Sequence, residues 1–193
     1  PRTPEMFLSC GFPIAACEVR ILDDDDQEVA MGEAGEICVR AQHVMAEYWK
    51  RPEQTAETLK SGWLHTGDIA RKDERGYMFI LDRKKDMIVS GGFNIFPREV
   101  EDVLSKHADV AMVAVIGVPD DKWGEAVTAI VVAREGTKPN ADELINLVKA
   151  KKGPAHAPKH IKFVDQLPMT GVGKVDKKVL KAGFWTGRDR MVG

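Results

Sequence analysis

The chain has 193 residues, 44% of them hydrophobic and 30% charged, with a formal net charge of −2. This is globular composition, enough for one ordinary domain or two small ones. The near-neutral balance excludes a general nucleic-acid or membrane surface, and no apolar run approaches the ~20 residues of a membrane-spanning helix. The opening, "PRTPEMFLSCGFPI", lacks the basic, apolar and small-residue order of a signal peptide. Cys10, Cys17 and Cys38 are odd in number and match no zinc spacing. They read as small core residues in a reducing, cytoplasmic compartment. Pro1 opens the chain within a strand-rich region, which suggests a piece of a longer polypeptide.

Residues 18 to 40 read as a hairpin-like pair of strands, because "CEVRIL" and "GEICVR" alternate apolar and polar residues. The acidic, glycine-containing stretch between them, "DDDDQEVAMGEAG", is turn chemistry. Asp23 to Asp26 lack the alternation and the distal Glu of a calcium loop, so they read as a solvated turn. Pro52 opens a short helix over "PEQTAETL", with acidic residues where the helix dipole favours them. Short strands follow in "GWLHTGDIARKDERGYMFIL", with a turn at Asp73 to Gly76. The charge cluster "DRKKD", residues 82 to 86, is the candidate boundary between a first domain, 1–84, and a second, 85–193.

Past that cluster, "MIVSGGFNI" predicts a strand, a glycine loop and a second extended stretch. "PREVEDVLSKH" predicts an amphipathic helix with Pro97 at its start and Val100, Val103 and Leu104 on one face. "VAMVAVIGVP" and "AVTAIVVA" are β-branched runs of strands buried on at least one face. "NADELINLVKAK" predicts a helix capped by Asn140, with Leu144, Leu147 and Val148 inward. "HIKFVDQLP" predicts a further strand and "VDKKVLKAGF" a last helix. The class expected is α+β, a small C-terminal domain of short sheet with packed helices, preceded by a strand-rich remnant.

Near the end, "LPMTGVGKVDKK" puts Lys174 on a loop containing Gly171 and Gly173, where glycine lets the backbone turn tightly and approach a ligand. Read by itself, this is a glycine turn beside a solvated lysine. It is not a phosphate-binding P-loop, since Pro168 and Val175 occupy positions where that motif needs Gly and Ser or Thr. His156 and His160 have a zinc-like spacing, but Pro158 between them argues against the helix such a pair needs.

Three stretches, "GWLHTGDIA", "LDRKKDMIVSGGFNIFPREVE" and "PMTGVGKVDKK", resemble in order and spacing the C-terminal portion of the adenylate-forming superfamily. That superfamily includes acyl-CoA synthetases, firefly luciferases and the adenylation domains of peptide synthetases. The similarity runs from about residue 11 to about residue 181, and the wording looks most like the fatty-acid-type acyl-CoA ligases. The resemblance implies ATP, with Mg²⁺ as its counter-ion, and CoA as cofactors. It implies a carboxylic acid activated as acyl-AMP and passed to the CoA thiol. A carrier-protein phosphopantetheine acceptor and a non-catalytic nucleotide-binding module are the alternatives.

Under that resemblance each residue acquires a role that its chemistry suits. Asp68 is matched to the aspartate that holds the ATP ribose, where a carboxylate can accept from two adjacent hydroxyls. Arg83 is matched to a nucleotide contact suited to a planar guanidinium, although an ion pair with Asp82 or Asp86 would also explain it. Lys85 falls at the hinge about which the small domain, a mobile lid, swings between half-reactions. Lys174 is matched to the catalytic lysine, whose charge offsets repulsion between carboxylate and α-phosphate. Ser90, Gly91 and Gly92 are implied to line the pantetheine channel. Trp123 is implied to stack on the CoA adenine, though it would serve equally as core cover, and Lys159 to meet a CoA phosphate. Ala157 departs from the pattern, sitting where relatives often carry arginine. The family's phosphate loop, its aromatic motif ending in Thr-Glu and its acyl pocket belong to a large N-terminal domain and do not occur in these 193 residues. The expected partner is therefore that missing domain, and the chain alone is expected not to make acyl-adenylate.

Overall fold

The computed structural model describes residues 4–185. The chain divides between Lys84 and Lys85 into two units, each with its own sheet and core.

In the first unit a single 3-10 turn, Pro4–Leu8, precedes β1 (Cys17–Leu22) and β2 (Gly35–Ala41). These pair antiparallel from Cys17↔Ala41 to Leu22↔Glu36. The acidic stretch between them turns because Asp23 Oδ1 accepts the N–H groups of Asp25 and Gln27 at 2.9 and 2.8 Å. It is also partnered, since Asp24 meets Lys84 Nζ at 2.7 Å and Asp26 meets Lys60 Nζ at 3.5 Å. Helix α1 (Pro52–Thr58) buries no residue, so Pro52 in its first turn supplies local organisation that packing does not. After β3 (Leu59–Lys60), the long β4 (Trp63–Lys72) pairs with β2, β3 and β5 (Met78–Arg83), all antiparallel. Ile21, Ile37, Ala70 and Met78 form one core cluster, and Leu22, Cys38 and Trp63 another. Of the three cysteines only Cys38 is in a core. Cys10 is exposed, and Cys17 is half-buried at the first position of β1.

The second unit is organised by β8 (Val110–Asp120) and β9 (Gly124–Ala133), antiparallel along nearly their whole length. Before them come β6 (Ile88–Ser90) and β7 (Phe93–Ile95), a small hairpin whose Ser90 pairs with Gly124, and α2 (Pro97–Leu104). Following them are α3 (Ala141–Lys152), β10 (His160–Phe163), parallel to β9, and α4 (Lys177–Ala182). The β-branched runs are nearly continuous because the sheet is covered on both faces. Val115, Val127 and Val131 pack with Val100, Leu104, Leu144 and Val148, which are from α2 and α3. Ala114, Ile116 and Ile130 pack with Leu167, Val175 and Leu180 on the opposite side. Each fully buried Ile or Leu contributes about 1.5–3 kcal/mol.

Asn140 caps α3 as its residue type predicts, its side chain accepting from Asp142 and Glu143 N–H. Leu147 is half-buried, unlike Leu144 and Val148. The strand predicted over residues 160–168 ends at Phe163, beyond which the chain leaves the sheet and Leu167 turns into the second core cluster. No helix among the described residues is long and apolar enough to cross a membrane.

Candidate functional site

In the first unit, Asp68 and Arg83 face each other across the β4–β5 ladder, and Arg83 Nε lies 2.7 Å from Asp68 Oδ1. With side chains 57% and 28% exposed, the pair is worth only about 0–1 kcal/mol. It is therefore cheap to reorganise around a ligand. Residues 66–68 are held by side chains: Thr66 Oγ1 donates to Ile37 O at 2.8 Å and accepts the Asp68 N–H at 3.1 Å. Gly67 has φ +73°, a turn that glycine makes without strain.

Beneath that turn is a buried polar group that the sequence reading missed. Glu36, 6% exposed, accepts the Gly67 N–H through Oε1 at 2.8 Å. Its Oε2 lies 3.2 Å from His65 Nδ1 and 3.2 Å from Lys84 Nζ. Burial pushes the Glu36 carboxyl up. The Gly67 N–H, the His65 hydrogen bond and the Lys84 ammonium outweigh that and hold it below its ordinary value. The Lys84 ammonium is pushed down by burial, but Asp24 and Glu36 hold it above its ordinary value. Cys38 Sγ lies 3.4 Å from His65 Nδ1, so Glu36, Cys38 and His65 gather their ligand atoms within 4.8 Å of one another. The chemistry is that of a hydrogen-bonded ion network rather than of a metal centre. Lys84 already supplies the cation at Glu36. Burial first, then the Glu36 and Asp26 charges, pushes the Cys38 thiol up to about 12.

In the second unit the structure gathers residues distant in sequence. Gly91 and Gly92 turn between β6 and β7 with φ +57° and +82°. The Gly91 N–H donates to Trp123 O at 2.9 Å, and a Cβ on Gly91 would lie 2.8 Å from Trp123 Cε3. Only a glycine lets the indole lie there undisturbed. Lys159 Nζ stands 4.8 Å and Lys122 Nζ 4.9 Å from the ring centroid, within cation–π range. Trp123 is half-buried, and its backbone N–H is held by Asp120 Oδ1 at 2.9 Å. Ser90 is buried at the edge of this group. The result is an indole with two ammonium groups over its ring beside a side-chain-free turn, a cluster of positive charge that suits a phosphate-bearing ligand.

The Lys174 loop is a closed hairpin. Met169 and Val175 form a bridge, Thr170 N–H donates to Lys174 O at 2.7 Å, and Gly173 N–H donates to Thr170 O at 2.9 Å. Gly173 takes a positive φ of +76°, whereas Gly171 does not, so one glycine shapes the turn rather than two. The base is pinned by Lys177 Nζ to Glu101 Oε1 at 2.7 Å. Glu101 in turn accepts the Val115 N–H at 2.7 Å. At the tip Lys174 is exposed, and its ammonium makes no ion pair or hydrogen bond with any described residue. Lys85 is exposed in a single 3-10 turn, Lys84–Asp86. From α4, Lys181 Nζ reaches Lys85 O at 3.4 Å and Asp86 Oδ1 at 3.2 Å.

Family models match at both ends: residues 1–49 match the AMP-binding enzyme model, and residues 99–174 match the AMP-binding enzyme C-terminal domain. The chain is 51% identical over 192 residues to the medium/long-chain-fatty-acid–CoA ligase FadD8 of Mycobacterium tuberculosis, covering 96% of this chain and 34% of that protein. It is 44% identical over 180 residues to a feruloyl-CoA synthase of Amycolatopsis, covering 93% and 37%. Among solved structures, the amide bond synthetase McbA from Marinactinospora thermotolerans matches with a TM-score of 0.83 at 40% identity, over 93% of this chain and 37% of that one. The o-succinylbenzoate CoA synthetase MenE from Bacillus subtilis, in complex with the acyl-adenylate OSB-AMP, matches with 0.83 at 36% identity, over 92% and 36%. The chain thus spans about a third of the length of the relatives it matches.

Proposed function

The chain belongs to the adenylate-forming superfamily, in its acyl- and aryl-acid–CoA ligase family, and from that premise we propose that it is the C-terminal portion of an ATP-dependent acid–thiol ligase. In this reading Asp68 accepts from the ATP ribose hydroxyls, and Arg83, released from its weak pair, grips nucleotide oxygens. The carboxylate oxygen attacks the α-phosphorus, pyrophosphate leaves, and Lys174 offsets the negative charge gathering there. The unit beyond Lys85 then turns, and the face of Trp123 with Lys159 and Lys122 receives CoA. Ser90, Gly91 and Gly92 leave room for its pantetheine arm. The CoA thiol gives its proton to water, its sulfur attacks the acyl carbon, and AMP departs with the electrons of the broken carbon–oxygen bond.

The observation that carries this reading is the exposed ammonium of Lys174, without a partner among the described residues, on a hairpin pinned at its base. An ammonium delivered to a reacting centre has to be free of a partner in the resting protein, on a support rigid enough to aim it. A fatty acid is the proposed substrate, on the resemblance of "DRKKDMIVSGGFNIFPREVE" and "GKVDKK" to the fatty-acid-type ligases.

The test uses the complete polypeptide carrying this segment. Lys174→Ala should slow acid-dependent ATP–pyrophosphate exchange by about 10²–10³-fold. Thioester formation from supplied acyl-adenylate and CoA should survive. Equal losses in both half-reactions would remove Lys174 from the first step, and faster exchange with ferulate than with any fatty acid would overturn the substrate assignment.

A further inference from the structure

We propose that Glu36 is a positioning residue for nucleotide binding: its buried carboxylate ties the strand carrying Asp68 to the strand carrying Arg83 and sets the geometry in which the two meet a ribose. The proposal rests on the reading of Asp68 given above.

On the β2 side the backbone ladder does not hold residues 66–68, although Asp68 pairs with Arg83 on the β5 side. The β2–β4 register shifts between Glu36 and Cys38, and the β4–β5 register shifts between Ile69 and Ala70. Between these irregularities Gly67 gives its N–H to the Glu36 side chain rather than to a strand carbonyl. The Asp68–Arg83 pair is too exposed to position itself, being worth about 0–1 kcal/mol. Glu36 supplies what both lack. One oxygen holds the N–H of the residue before Asp68, and the other holds the ammonium of the residue after Arg83. Both contacts are charge-assisted and part-buried at a carboxylate only 6% exposed, so each is stronger than a neutral surface bond. His65, two residues before Gly67, adds a third contact to the same carboxylate. Nothing in this arrangement requires Glu36 to touch the nucleotide.

The inference predicts a loss of ribose discrimination, which damage to folding alone would not produce. A site built to hydrogen-bond a hydroxyl rejects the analogue that lacks it. The readout is therefore the ratio of kcat/KM for ATP to that for 2′-deoxy-ATP in pyrophosphate exchange by the complete polypeptide. Asp68→Ala is measured first. If the unaltered protein shows no preference, or keeps it in Asp68→Ala, the ribose reading itself fails. If Asp68→Ala collapses the preference, Glu36→Gln decides the inference. The expected result is a single cooperative melting transition, lower than the native one but well above the assay temperature, a raised KM for ATP and a ratio reduced by about tenfold or more, since a misplacement of ~1 Å can cost on the order of 10²-fold. Loss of active protein by misfolding would lower both rates and leave their ratio intact. A folded Glu36→Gln with an unchanged ratio overturns the proposal. Should Glu36→Gln fail to fold, Lys84→Met, which removes the other end of the tie at a side chain 34% exposed, is judged by the same ratio. An unchanged ratio there overturns the proposal as well.

Discussion

Adding one methyl group at Gly91 tests how the glycine turn and Trp123 depend on each other. Gly91 and its neighbour Gly92 both have positive φ, +57° and +82°, so alanine at either carries a left-handed backbone cost of about 1–2 kcal/mol. The surroundings differ. The new Cβ at Gly91 would lie 2.8 Å from Trp123 Cε3 and 3.1 Å from Cζ3, whereas at Gly92 nothing lies within 4 Å. Overpacking of this kind adds about 1–3 kcal/mol. Gly91→Ala should therefore cost about 2–5 kcal/mol and Gly92→Ala about 1–2. Because the chain has two units, the loss is best read by amide hydrogen exchange at the paired β8 and β9 positions, such as Val115 and Ala129. Every 1.4 kcal/mol is about tenfold in protection, so the excess at Gly91 appears as a further loss of roughly five- to a hundredfold. In a Trp123→Ala background that excess should vanish while the backbone cost remains. Equal losses for the two glycines, or an excess that survives removal of the indole, would refute the steric argument and leave the turn independent of the tryptophan.

Glu36 also sets a pH dependence. Its carboxyl is held below its ordinary 4.5 in the fold, so the folded chain binds that proton less tightly than the unfolded one. The stability it contributes is complete above that ordinary value and is lost as pH falls through the lowered one. Between pH 6 and 3, Glu36→Gln should flatten the fall of Tm below about pH 4.5, and parallel curves for the two proteins would contradict this. In the second unit, Asn140→Ala removes the acceptor for Asp142 and Glu143 N–H and should cost about 0.5–2 kcal/mol. Asn140→Asp should restore most of it, and a urea titration of the second unit that shows no difference between these variants would argue that the cap is idle.

Much of the secondary structure was written locally. Pro97 and the spacing of Val100 and Leu104 specify α2, because a proline starts a helix and a 3.6-residue period gives it one buried face. Asn140 marks the start of α3 by the same local chemistry, and β-branched runs mark β8 and β9. These features yield the α+β class because they depend only on neighbours along the chain. Limits of this local information appear at particular residues. The alternation in "GEICVR" assigns Glu36 to a polar position, yet Gly35 to Cys38 are all buried, since Ile37 packs in one core cluster and Cys38 in the other. No sequence pattern announces that second cover. The charge on Lys84 belonged to an unremarkable cluster until the fold brought it against Glu36.

Residue types and their order determined which chemistry is available here: a carboxylate in "HTGD", an arginine and lysines in "DRKKD", two glycines before "FNI", and a lysine in "GVGK". Tertiary structure alone decided their company. It placed Trp123 against Gly91 and Lys159 over the Trp123 ring, left Lys174 without a partner among the described residues at the tip of a pinned hairpin, and buried Glu36 beneath the Asp68 turn. The physical reason is range. Turn, cap and period energies act between residues a few positions apart, whereas burial, ion pairing and ring contacts act between whatever the packing of distant strands brings within a few ångströms.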